Sequence, residues 1–229
     1  MCQPVRVSGA ECQPGPSPTA QALRLEGIRA RDGVSLDALL EALGDPPWDV
    51  ELAPDDPVVS LLRARGFEEY ARAVVMARPL EGLAPVPAAA GVRIGPYSND
   101  WAESYSQGEA VAMAEHPFYQ HMGSQTGYEG SEGFDAAIAA RADEQVVGFA
   151  QAQLPEGWIN WLWVHPDHRR HGVASALVWE LANAVRDSRG THLAALVPVQ
   201  SEGAALLGKL GFRSRSERVL MLRAADSAA

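Results

Sequence analysis

Cysteine is almost missing from this chain. Its 229 residues hold two, Cys2 and Cys12, both in a Pro/Gly-rich N-terminal stretch. No disulfide can therefore staple the body of the fold, which suits a reducing, cytoplasmic location. No apolar run reaches the ~18 residues that would span a bilayer, so no membrane partner is expected. The first twenty residues have no long apolar stretch and do not read as a secretory signal. Positive charge is also scarce: 19 Lys and Arg stand against 29 Asp and Glu, a net charge of −10. A nucleic-acid binder would need a basic face, so no nucleic-acid partner is expected. Neither G-x-x-x-x-G-K-[ST] nor a well-placed G-x-G-x-x-G occurs, which weighs against a mononucleotide-binding protein.

What is present is ordinary globular material, 47% hydrophobic and 21% charged. Residues 1–22, with four prolines and no periodicity, read as a disordered tail. Residues 23–80 alternate short strands and helices. Strands are expected at 23–28, 48–54 and 70–80, and helices at 35–44, with Ser35 as cap, and 56–67. A linker, "EGLAPVPAAAG", spans 81–91. The remainder, 92–224, is longer and more regular, and 225–229 is a short tail. In it strands are expected at 92–97, twice within 134–154, at 157–164, 191–198 and 215–223. Helices are expected at 99–116, 173–188 and 201–211.

The two halves echo each other. "LLRARGFEEYARAVVMAR" (61–78) aligns without gaps on "LLGKLGFRSRSERVLMLR" (206–223), with seven of eighteen positions identical. Shared architecture follows from such a repeat; shared function does not.

Chemistry concentrates in "WLWVHPDHRRHGVASALVWELA" (161–182). An apolar strand ends at His165-Pro166, a cationic loop follows, and an alanine-rich helix begins after Gly172. A helix start offers N–H groups without intrahelical partners and the positive end of a dipole. Gly172 lets backbone approach a ligand, and small residues follow at Ala174 and Ser175. Arg169 and Arg170 add guanidinium groups shaped for phosphate. The loop reads as a phosphate cradle. His165, His168 and His171 are spaced i, i+3, i+6, but Pro166 breaks a shared helical face, so no metal site is expected.

The run V-H-P-D-H-R-R-H-G-V-A (164–174) resembles the acyl-CoA signature of the GCN5-related N-acetyltransferase (GNAT) family: V-x-P, then Q/R-x-x-G-x-G/A. Element order over 92–224 and "KLGF" (209–212) extend the likeness. The resemblance implies an α/β (α+β) fold with a mixed, twisted sheet that splays between its fourth and fifth strands. It implies acetyl-CoA as co-substrate, held by Trp163, Val164, Arg169, Arg170, His171, Gly172, Val173, Ala174 and Ser175, with no metal. The amide of Val164 or its neighbour would polarise the thioester carbonyl. The acceptor would be a primary amine of a small molecule or peptide, attacking directly. The position of the family's usual proton-donating tyrosine is Leu207, and Gln200 stands at its usual asparagine. No acid lies near the start of the fourth strand, where Asn160 can only orient a water. Asn160, His116 and Tyr119 are the catalytic candidates. Residues 23–80 resemble a degenerate, partial copy of the same domain, which should pack on the complete one or on another chain, as in a homodimer. The alternative is a non-catalytic CoA-binding or interaction protein.

Overall fold

Six stretches of the computed structural model are described: residues 5–7, 10–16, 23–44, 48–87, 90–114 and 136–223. They fall into two compact units, one holding the described residues up to Ala73 and from Ser216 onward, the other those between Val74 and Arg215.

In the first unit, β1 (Val5–Val7), β2 (Ala10–Pro16) and β3 (Leu23–Ala30) form an antiparallel meander. This differs from the disordered tail expected for residues 1–22. Proline counts against regular structure locally, but prolines fit edge strands. Here β1 pairs only with Ala10–Cys12 of β2, so Pro14 and Pro16 have a neighbour on the β3 side alone, and Cys12 sits in the core beside Ile28. Helix α1 (Gly33–Leu43) leads to β4 (Trp48–Leu52), parallel to β3, and α2 (Pro57–Arg63) follows. Leu36, Leu39 and Leu40 fill one helical stripe and join Trp48, Val50 and Leu62 in the core. The last strand of the chain, β11 (Arg213–Arg223), pairs antiparallel with β4, so the sheet order is β1-β2-β3-β4-β11.

The second unit takes Val74 onward from β5 (Glu68–Pro79). It adds β6 (Val92–Pro96), α3 (Ala102–Met113), β7 (Ala136–Ala142), β8 (Gln145–Ala152) and β9 (Trp158–Val164). Then come α4 (Val173–Asp187), β10 (His192–Pro198) and α5 (Glu202–Lys209). The sheet runs β5-β10-β9-β8-β7-β6, mixed because β9 and β10 are parallel. Helix α4 buries Val173, Leu177, Val178, Leu181 and Val185 against one face of this sheet. Helix α3 covers the other face: Tyr105 packs edge-on to Phe149 at 4.7 Å, and the Ser104 hydroxyl accepts the Val146 N–H at 2.8 Å.

The repeat is visible in three dimensions. Gly66 and Gly211 end their helices with φ of +79° and +87°. The next residues, Phe67 and Phe212, donate N–H to Leu62 and Leu207 carbonyls at 3.2 and 3.0 Å. The strand after each Gly-Phe pair packs within one unit: Val74 and Met76 with Leu207 and Phe212 in the second, Val219 and Met221 with Leu36 and Leu62 in the first.

Candidate functional site

β9 and β10 begin as neighbours and then part. Their register covers only Trp158 with Ala194 and Ile159 with Ala195. Close packing at the base sets this start: a Cβ on Gly157, whose φ is +71°, would lie 2.0 Å from the His192 carbonyl oxygen. Beyond Ile159 the edge of β9 has no partner strand on that side among the described residues.

The polar groups on that edge can be assigned from the other side. β9 pairs antiparallel with β8, Phe149 opposite Trp163 and Gly148 opposite Val164. His165 donates to the Val147 carbonyl at 2.8 Å. Hydrogen-bonded and non-hydrogen-bonded pairs alternate in such a ladder. Leu162 and Val164 are therefore the non-bonded members, and they turn N–H and C=O toward the parting strands. The Val164 carbonyl is taken by Arg169 Nε at 3.0 Å. The Val164 N–H points into the fork.

The fork ends at a row of free amides. His168 and Arg169 donate within the turn at Pro166–His168. The next six N–H groups, on Arg170 through Ser175, have no acceptor among the described residues. Arg170 is left-handed with φ +64°, and Gly172 has φ +81° and ψ −5°. Alternation of left- and right-handed residues curls successive amides into an anion-binding nest. α1, α2 and α5 are each capped by a side-chain oxygen, from Asp32, Asp56 and Ser201, whereas α4 has no side-chain cap. A diphosphate fits this donor set. Val86 and Pro87 of the expected linker lie against it: a Cβ on Gly172 would be 3.0 Å from the Pro87 carbonyl oxygen.

The loop side chains do different work. Arg169 is half-buried, holds the Val164 carbonyl, and lies 3.8 Å from Glu202. It ties the loop to the end of β9. Arg170 and His171 are exposed, Val173 is buried in the core, and Ala174 and Ser175 are half-buried. Trp163 packs with its ring toward Tyr105, centroids 5.8 Å apart, so its side chain belongs to the α3 layer. Among the described residues, no three His, Cys, Asp or Glu side chains cluster as metal ligands. Nor is any helix among them long and apolar enough to cross a membrane.

Asn160 occupies a β-bulge that alternation alone does not reveal. Gln151 pairs with Trp161, but Ala152 pairs with Ile159, leaving Asn160 as the extra residue. Ile159, Leu162 and Val164 all pack on the α4 side. Asn160 thus joins Trp161 and Trp163 on the α3 face, rather than sharing a face with Leu162 and Val164 as alternation predicts. His116 and Tyr119 lie outside the described residues. Leu207 is fully buried in the core, and Gln200 is exposed with φ +60°.

Sequence reasoning missed Glu109. It is fully buried on α3 and accepts the Tyr105 hydroxyl at 2.5 Å. Burial, reinforced by this carboxylate, pushes the Tyr105 phenol well above its ordinary pKa. The available signal was an acidic residue on the face of an amphipathic helix.

The N-terminal repeat has a similar fork without a similar nest. β3 pairs with β4 only at Leu23–Leu25. There Asp32, rather than Ser35, caps α1: its carboxylate accepts the Ser35 N–H and hydroxyl, both at 2.8 Å. These bonds hold the Asp32 carboxyl below its ordinary pKa. A resident carboxylate stands where a phosphate would have to bind.

Comparison with known proteins agrees with this fold. The profile of the acetyltransferase (GNAT) family matches residues 97–212. A GCN5-related N-acetyltransferase from Sphaerobacter thermophilus superposes with a TM-score of 0.63 at 17% identity, over 94% of this chain and 76% of that one. One from Kribbella flavida gives 0.66 at 16%, over 97% and 89%. A tandem GNAT protein from the clavulanic acid biosynthesis pathway gives 0.64 at 15%, over 98% and 82%. At these identities the likeness is one of fold. No curated protein matches the chain.

Proposed function

The chain belongs to the acetyltransferase (GNAT) family, and on that premise we propose that it is an acyl-CoA-dependent N-acyltransferase. The acyl group is acetyl, and the acceptor is a primary amine of a small molecule or peptide. The observation that carries this reading is the fork between β9 and β10, ending at six amides without a partner among the described residues.

Acetyl-CoA supplies the acyl group as a thioester. The amides from Arg170 to Ser175 would hold its diphosphate, with Arg170 adding charge from the solvent side. The open edge of β9 would bind the pantetheine arm as a surrogate strand. The Val164 N–H would donate to the thioester carbonyl, a one-donor oxyanion site. Arg169 keeps the Val164 peptide oriented by holding its carbonyl. Asn160, at the bulge, would orient a water that relays the amine proton. His116 and Tyr119 are the acid–base groups proposed for the acceptor side. Leu207 supplies no proton, so the departing thiolate leaves unassisted or takes one from water. A thiol with an ordinary pKa near ~8.5 is a tolerable leaving group.

The proposed organisation is a complete GNAT domain over 92–224, preceded by a partial copy over 23–80 and joined to it by 81–91. The setting is cytoplasmic, with no metal, nucleic acid or membrane partner. The absence of a general acid at Leu207 supports a second reading, a CoA-binding protein without turnover. Thiol release from acetyl-CoA against a panel of amines decides between them. Release with at least one amine supports the enzyme. Tight CoA binding with no release for any amine supports the second reading.

A further inference from the structure

β8 and β9 carry two side-chain amide nitrogens that are buried without a partner among the described residues. Gln151 is 2% exposed, and its Nε2 has no hydrogen-bond partner there. The same holds for the buried Asn160 Nδ2. Both lie on the α3 face. Gln151 sits between Ala150 and Ala152, which point into the opposite core, and it pairs with Trp161, next to Asn160. The two amides are thus neighbours across one strand pair, yet they do not bond to each other.

Leaving a buried N–H unpaired is costly, and folded proteins rarely do so without a reason. An apolar side chain at Gln151 would fill the same space without that cost. The pair also stands at a particular place: the bulge is where β9 leaves β10, at the start of the open edge. Ile159, Leu162 and Val164 occupy the α4 side of that edge. An acceptor approaching the fork from the α3 side would meet the two amides.

We propose that Gln151 and Asn160 bind a carbonyl or carboxylate oxygen of the acyl acceptor, so that its substrates are amines bearing such a group, as in amino acids, their amides and peptides. This rests on the acyltransferase reading above and narrows its substrate class. Both N–H groups converge on one acceptor oxygen and hold it beside the fork. Gln151 is a specificity residue in this account. It has no part in CoA binding.

The test is calorimetry on full-length, CoA-saturated protein with matched sets: tyrosine, tyrosinamide and tyramine; leucine, leucinamide and 3-methylbutylamine; lysine, lysinamide and cadaverine. In at least one set, the carbonyl-bearing members should bind about tenfold or more tighter than the amine that lacks the carbonyl. Gln151→Met should abolish that difference and leave CoA affinity unchanged. Because it removes an unpaired amide, it should also raise the ligand-free melting temperature by about 2–4 °C. An amide with a structural partner would give a lower melting temperature instead. No preference in any set overturns the proposal, as does a preference that survives Gln151→Met. Thiol release from acetyl-CoA, measured separately, reports on the acyltransferase reading and does not depend on these outcomes.

Discussion

Replacing Gly172 by asparagine and by aspartate separates shape from charge at the nest. Gly172 has φ +81°, a region that costs most L-residues about 1–2 kcal/mol but that Asn and Asp tolerate better. A new Cβ there would stand 3.0 Å from the Pro87 carbonyl and 3.8 Å from a Val86 methyl, so residues 86–87 must shift slightly in either variant. Asn and Asp are nearly isosteric, and their difference is one negative charge beside the proposed diphosphate. Two unit charges ~4 Å apart interact by about 4 kcal/mol at an effective dielectric of ~20, and correspondingly less when farther apart. The expected gap between Gly172→Asp and Gly172→Asn is about 2–4 kcal/mol, or roughly thirty- to thousandfold in Kd for CoA. Calorimetry at two salt concentrations reads it, and the gap should narrow as salt rises. Equal affinities for the two variants would refute the placement of the diphosphate. Wild-type affinity in Gly172→Asp would remove the nest from the account.

The two loop arginines should separate. Arg170→Ala should weaken CoA binding roughly three- to tenfold and flatten its salt dependence, as expected for an exposed phosphate contact. Arg169→Ala should lower the melting temperature, because it frees the half-buried loop from the Val164 carbonyl; a stable Arg169→Ala protein would contradict that tie. CoA should bind once per chain, and Asp32→Ala should not add a second site, which titration to saturation checks. The Cys12 thiol is buried and pushed up to about 11 by desolvation. In a Cys2→Ser protein it should therefore resist a disulfide reagent at pH 8 and react fully once denaturant is added; prompt reaction in the native state would contradict its burial.

The signature loop was legible because its chemistry is local. Gly172, the small residues after it and the Pro166 break are adjacent in sequence, and the free amides follow from where the helix begins. The repeat was legible because Leu62 and Leu207, and the Gly-Phe pairs after them, satisfy the same helix-end geometry. What escaped depended on distant partners. β1 and β2 owe their strands to pairing with β3, which a proline-rich composition does not advertise. The bulge at Asn160 exists only in the register against β8 and moves a site residue to the other face. Arg169 looked like a phosphate ligand from its type. Its partner, the Val164 carbonyl, becomes available only because β9 has lost its neighbour strand there.

Two halves with one ancestry of pattern therefore arrive at different chemistry through one helix start each. Both contain parallel strands that part after a short shared ladder, β3 from β4 and β9 from β10. Both follow the earlier strand with a helix, whose first amides need acceptors. In α1 the need is met from within, because the Asp32 carboxylate takes the Ser35 N–H and hydroxyl. In α4 the equivalent position carries Gly172, with no side chain to reach back, and the amides stay open. A carboxylate cap stabilises its helix permanently and excludes a second anion by charge. An open glycine start leaves its helix less stable and keeps the amides for a ligand. Strand parting alone is thus insufficient to make a site; the residue at the helix start decides, and only the C-terminal half has the one that leaves the nest open.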